Sequence, residues 1–195
     1  TAKASLIEGG DISHVYEYEL GGGMSSGSRL LSGGGYTLRV PSVDISEIGA
    51  GGGSIVWLDK AGYPQVGPHS AGAHPGPVCY DMGGTDPTVT DCNVVLGYIN
   101  PSSLLGGGLP LNRAKSVEAI EETVAKPSGL STLDAAYGGC TLVVSNMTRA
   151  VKAVTTERGR DPRNLILYAF GGAGPLHAVE LARALGIPRV VVPPS

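Results

Sequence analysis

Aromatic side chains are scarce in this sequence: one Trp, one Phe and eight Tyr among 195 residues. A core built from it must rest on Val, Leu, Ile and Ala. Charge is sparse as well, with 14 Lys and Arg against 17 Asp and Glu, a net of −3. Without a basic stripe, the footprint of a nucleic-acid binder is missing. No apolar run approaches the roughly 18 residues of a membrane-spanning helix. Cys79, Cys92 and Cys140 are scattered without metal-ligand spacing, which fits a reducing, cytoplasmic setting. Neither an initiator Met nor a signal peptide opens the chain.

What is abundant is glycine, at 31 residues, with 14 prolines. There is no Gly-X-Y period, so these glycines belong to turns and backbone-built loops. Apolar residues at 42% suffice for a sizeable core, and charged residues at 16% argue against disorder. The chain begins close to a strand and stops at Pro193-Pro194-Ser195, directly after Val190-Val191-Val192. Ends so near core elements predict an internal fragment of a longer protein.

The first 20 residues read as two strands joined at Gly9-Gly10. Residues 21–35 read as a flexible Gly/Ser-rich loop. Strands are predicted at 36–40 and 54–58, the latter with a hairpin partner at 63–66. Residues 67–86 read as irregular. Thr90 or Asp91 is expected to cap a short helix through Val94, Val95 and Leu96. Asn112 is expected to cap a helix whose Val117, Ile120 and Val124 share a face. Ser131 and Asp134 have capping-box spacing and open a helical stretch ending near Arg158, interrupted by Gly138-Gly139. The last segment is a strand at 165–170, a glycine turn, a helix at 176–185 apolar on more than one side, and a strand at 189–192. That is an α/β unit.

A glycine turn between strand and helix lets backbone N–H groups approach a ligand, and the helix N-terminus adds partial positive charge. Gly171, Gly172 and Gly174 have this arrangement, so they are candidate phosphate or nucleotide contacts. A plain tight turn explains the same residues equally well. The spacing is neither a P-loop nor a dinucleotide fingerprint. Gly51, Gly52 and Gly53 form a second run, ahead of a strand instead of after one. Asp44 and Glu47 precede it, and carboxylates beside such a loop can hold Mg²⁺ through water. Solvated surface charge is the plainer fate of either. His69, His74, Cys79, Asp81, Asp86 and Asp91 crowd into one stretch without zinc spacing, so they read mainly as loop residues. Cys79 lacks an identifiable base and reads as a buried structural thiol.

Four motifs occur in order. They are Ile48-Gly49-Ala50-Gly51-Gly52-Gly53-Ser54, Val66-Gly67-Pro68-His69-Ser70-Ala71-Gly72-Ala73-His74-Pro75-Gly76-Pro77, Gly83-Gly84-Thr85-Asp86-Pro87-Thr88-Val89-Thr90-Asp91-Cys92-Asn93 and Phe170-Gly171-Gly172-Ala173-Gly174-Pro175-Leu176-His177-Ala178. Together they resemble the hydantoinase A / oxoprolinase family over essentially the whole chain. Lys3 and Gly138-Gly139-Cys140 depart from its pattern. The resemblance implies an α/β, actin-like (ribonuclease-H-type) ATPase fold, present here as one truncated domain over residues 1–195. It implies ATP and Mg²⁺, with Gly171, Gly172 and Gly174 at the nucleotide and Asp91 at the metal; Gly51, Gly52 and Gly53 join the nucleotide candidates and Asp44 the metal candidates on the residue reading above. Asp91 is the catalytic candidate, with an N-cap role as its alternative.

The family chemistry is ATP-driven attack on unreactive amides or ketones, by phosphorylating a carbonyl or enol oxygen. The resemblance therefore implies a cyclic amide hydrolase that takes a small-molecule substrate and works with a B-type subunit or domain; homo-oligomerisation is left open. Two alternatives stand beside it: an ATP-dependent ketone carboxylase subunit, which shares every motif, and a nucleotide-regulated interaction module, since the same fold serves chaperones and filaments.

Overall fold

A computed structural model describes residues 1–20, 36–102 and 108–194. Those residues form two compact units: Thr1–Ile48, Ser145–Phe170 and Ala178–Ser195 in the first, Gly49–Val144 and Gly171–His177 in the second. The expected loop at 21–35 lies outside the described residues.

The first unit opens with short antiparallel strands. They are β1 (Ala2–Ala4), β2 (Ile7–Glu8), β3 (Asp11–Ile12), β4 (His14–Val15), β5 (Tyr18–Leu20), β6 (Tyr36–Leu38), β7 (Ser42–Val43) and β8 (Ser46–Ile48). β2 and β3 form the hairpin expected at Gly9-Gly10, and both glycines take positive φ. β1 pairs with β8, β4 with β7 and β5 with β6, so the chain returns antiparallel along its own path.

The second unit is built on the hairpin of β9 (Ser54–Leu58) and β10 (Pro64–Ser70). Asp59 closes its turn by accepting the N–H groups of Ala61 and Tyr63 at 2.9 and 3.0 Å. These bonds hold its carboxyl below the usual aspartate range, Tyr63 contributing most. The stretch expected to be irregular is partly regular, because β10 runs on to Ser70 and a 3₁₀ turn spans Val78–Tyr80. Then come α1 (Val89–Val95) and α2 (Arg113–Ile120), a π-helical turn at Glu121–Ala125 and α3 (Lys126–Ser128). Asn112 caps α2 as expected, accepting the Lys115 N–H at 3.2 Å.

α4 (Thr132–Val154) runs through Gly138-Gly139 without a break. Gly139 has a packing reason, since a Cβ built there would lie 2.9 Å from Cys92 Sγ. Val56, Val89, Val94, Ile120, Val124 and Val143 are fully or nearly fully buried. At roughly 1.5–3 kcal/mol for each such side chain, this aliphatic core replaces the missing aromatics.

β11 (Ile166–Tyr168), α5 (Gly174–Leu185) and β12 (Arg189–Val191) complete the chain, and β11 and β12 pair in parallel. α5 carries apolar residues on more than one side, as the sequence predicts, yet it is not buried all round. Only the stripe His177, Ala178, Leu181, Ala182 and Leu185 is buried, while Leu176 and Val179 are 38% and 51% exposed. A spacing of four places one face inward and leaves the other outward. The architecture is mixed α/β. No helix among the described residues is long and apolar enough to cross a membrane.

Candidate functional site

The second unit brings the two glycine runs together. Gly52 and Ala173 are close enough that a Cβ built on Gly52 would lie 3.4 Å from that of Ala173. The environments on the two sides differ sharply. Gly52 O accepts both the Thr90 N–H at 2.8 Å and Thr90 Oγ1 at 2.9 Å. A Cβ on Gly52 would sit 2.8 Å from that hydroxyl, and one on Gly53 would sit 2.9 Å from Ser70 Oγ. Ser54 Oγ accepts the Gly51 N–H at 3.0 Å, while Gly53 O accepts the Ala71 N–H at 2.9 Å. Packing therefore demands glycine at Gly52 and Gly53. At Gly171, Gly172 and Gly174 an added Cβ meets nothing within 4 Å. Gly171 and Gly172 are exposed, and Gly171 turns the chain with φ +89° into the start of α5. This turn has free space above its backbone and a twelve-residue helix behind it.

Asp91 is fully buried. Its Oδ2 accepts the N–H groups of Val78 at 3.1 Å and Thr88 at 2.8 Å, and Thr88 Oγ1 at 2.8 Å. Its Oδ1 accepts the Cys79 N–H at 2.8 Å and Ser116 Oγ at 2.7 Å. The cap of α1 is corrected by two or three residues. Thr88 is the N-cap, and Asp91 stands at N3 as the returning half of a capping box. Five donors on one carboxylate tie the 3₁₀ turn, α1 and α2 to a single point.

Asp44 belongs to the first unit. It is 4% exposed and bound at both oxygens by Arg158, at 2.8 and 2.7 Å. Glu47 pairs with Lys3 at 3.1 Å across the β1–β8 ladder. An Mg²⁺ site needs carboxylate oxygens turned to the ion. Asp44 and Asp91 do not fit that need, since protein donors engage both oxygens of each. Among the described residues no group of three or more His, Cys, Asp or Glu side chains is arranged to hold a metal.

Asp81 and Cys79 of the crowded stretch are accounted for locally. Asp81 bonds Lys115 and accepts Asn112 Nδ2 at 3.2 Å; the Lys115 contact leads in holding its carboxyl low. Burial first, then the Asp91 charge, pushes the Cys79 thiol far up. Burial raises Cys92 as well, and moves Cys140 to about 11. Thiols held protonated in this way are poor nucleophiles.

One residue carries a feature that sequence reading passed over. His177, on the first turn of α5, is 3% exposed, and its Nε2 has no hydrogen-bond partner among the described residues. Burial holds its imidazole below the usual histidine value. The sequence signal was present in the period-four stripe of α5, which places a histidine among Ala and Leu. The Asp91 capping box was legible too, as Thr88-Val89-Thr90-Asp91 has the right spacing.

The hydantoinase/oxoprolinase family model matches residues 1–195. The chain is 48% identical over 158 residues to the caprolactamase subunit alpha of Pseudomonas jessenii, covering 81% of this chain and 23% of that one. It is 48% identical over 161 residues to the acetophenone carboxylase gamma subunit of Aromatoleum aromaticum, covering 82% and 22%. The crystal structure of the ATP-dependent caprolactamase from Pseudomonas jessenii superimposes with a TM-score of 0.77 at 46% identity, over 87% of this chain and 24% of that one. The chain thus spans less than a third of the length of these relatives.

Proposed function

The chain belongs to the hydantoinase/oxoprolinase family, and on that premise we propose that it supplies part of the nucleotide site of an ATP-dependent cyclic amide hydrolase. The observation that carries this reading is the open turn at Gly171, Gly172 and Gly174, heading α5 and lying against the braced loop of Gly52. Exposed backbone and a helix N-terminus favour an anionic or strongly polar ligand there. The caprolactamase of Pseudomonas jessenii is ATP-dependent, which makes ATP the nucleotide to expect. We assign the fold to the actin-like ATPase class, as part of one such domain, with the parallel β11–α5–β12 unit as support.

In this reading the loops hold ATP while the amide oxygen of a cyclic substrate attacks the γ-phosphorus and ADP leaves; water then adds to the activated carbon, the ring C–N bond breaks and phosphate is released. Phosphorylation turns a poor electrophile into one that water attacks, and it is mainly positioning and charge that speed such a transfer. Gly51, Gly52 and Gly53 keep the partner loop in place, and Asp91 acts from behind as a positioning residue for α1. A second subunit completes the reaction, in line with the word "subunit" in the names of both relatives.

A second reading, a ketone carboxylase subunit, is favoured by the acetophenone carboxylase gamma subunit at the same 48% identity. The experiment is ATP turnover by the full-length protein with its partner subunit. Turnover that requires a lactam, hydantoin or 5-oxoproline supports the hydrolase. Turnover that requires a ketone and bicarbonate supports the carboxylase and overturns the first reading.

A further inference from the structure

We propose that the exposed face of the β11–β12 sheet is an intrachain docking surface, covered in the full-length protein by an amphipathic helix from outside residues 1–195. β11 and β12 run parallel, with α5 between them in sequence. Parallel strands occur almost only in sheets whose two faces are both covered. Successive side chains of a strand point to opposite faces. On one face of β11 Leu167 is half-buried, and Ala169 just beyond it is buried. On the other, Ile166, Tyr168 and Phe170 are exposed, and so is Val191, which pairs with Tyr168. The ladder runs past Tyr168, because Ala169 donates its N–H to Val191 O at 2.9 Å, so Phe170 keeps the alternation. All of these residues belong to the first unit.

This face has the composition of a core. The rings of Tyr168 and Phe170 lie with centroids 6.2 Å apart and planes tilted by 59°, the geometry of a packed aromatic pair. The chain has one Phe, and that residue is 73% exposed. Arg189, opposite Ile166, marks the polar edge of the patch. A contiguous apolar surface of this kind is one that something covers.

Two observations select the occupant. The chain spans less than a third of the length of the relatives it matches, so most of such a polypeptide lies outside this segment. The strands are also parallel, and a parallel pair is joined by a crossover that is usually a helix, so the layers of such a sheet come from its own chain. A helix with one apolar stripe matches a flat face of aromatic and aliphatic side chains. A separate subunit would leave this face bare until assembly.

The test is hydroxyl-radical footprinting of the wild-type full-length protein, without partner subunit or nucleotide, read by mass spectrometry at Tyr168 and Phe170. Both rings are expected to oxidise at least roughly tenfold more slowly than the free amino acids, as rings enclosed by neighbours on every side do. At exposures of 56% and 73% the slowing would be only about twofold. Slow oxidation that persists on dilution supports the inference. Rates within about twofold of the free amino acids overturn it. Protection that vanishes on dilution assigns the face to a second copy, and protection that appears only when the partner subunit is added assigns it to that subunit. Either result overturns the inference. No arm involves nucleotide, so the reading of the glycine turn stands or falls separately.

Discussion

Gly52 and Gly172 stand in one compact unit, each within a run of glycines that sequence reading treats alike. A side chain at Gly52 would press on Thr90 Oγ1 at 2.8 Å, whereas at Gly172 it would meet nothing within 4 Å. Neither position needs glycine for its torsion, since only Gly171 of the second run has positive φ. The same residue type therefore answers two demands. At Gly52 glycine allows α1 and the hairpin to close on the loop; at Gly172 it keeps a surface clear. A glycine-rich motif reports that backbone is approached closely, and only the surroundings say whether protein or ligand does the approaching.

The comparison breaks first at the structure behind the crowded loop. Asp91→Asn keeps the size of the side chain but turns an amide NH₂ toward groups that donate. Each charged hydrogen bond is worth about 1.5–3 kcal/mol, so the variant is expected to lose about 3 kcal/mol or more. Urea unfolding of the full-length protein checks this, with nucleotide affinity of the folded fraction unchanged. Full stability with turnover reduced a hundredfold would return Asp91 to the chemistry.

Gly52→Val comes next, at about 2 kcal/mol, in the range for overpacking a filled site. Thermal melting reads the loss. A wild-type melting temperature would show that Thr90 and Ala173 yield freely and that the two loops do not differ.

The contribution of His177 to stability depends on pH. Its folded pKa lies below the unfolded value of about 6.5, so the unfolded chain takes up the proton first as pH falls. Stability is whole above about pH 6.5 and is lost as pH falls toward the folded value, by at most about 1.4 kcal/mol per pH unit. His177→Leu should remove that slope in urea midpoints measured across the same interval. Identical slopes in variant and wild type would contradict it.

Smaller still is Thr90→Val. It removes the hydroxyl bond to Gly52 O and leaves the Thr90 N–H in place, so about 1 kcal/mol is expected to go. A loss in urea midpoint without a change in nucleotide affinity places this contact on the structural side.

The elements most legible in the sequence were those specified locally. Asn112 capping α2, the β2–β3 hairpin at Gly9-Gly10 and the glycine turn ahead of α5 all follow from neighbours within four residues. What stayed hidden depends on distance along the chain. Arg158 reaches Asp44 across 114 positions, and no local pattern announces that this carboxylate is already paired. Ser116 and Cys79 converge on Asp91 from 25 and 12 positions away, which turns a cap into a hub. Gly139 looks like a flaw in α4 until Cys92 and Val56 are found against it. The family motifs were legible as strings, but which of their glycines face protein and which face open space is a property of packing alone.

The most direct measurement is the pair of melting and ADP titration on Gly172→Val in the full-length protein. The backbone there needs no positive φ and the space is open, so the melting temperature should match wild type. The branched side chain would stand where nucleotide approaches, so ADP affinity should fall by at least roughly tenfold, about 1.4 kcal/mol. A collapsed melting temperature with normal binding by the protein that remains folded would contradict the account. It would make the open turn as structural as the crowded one.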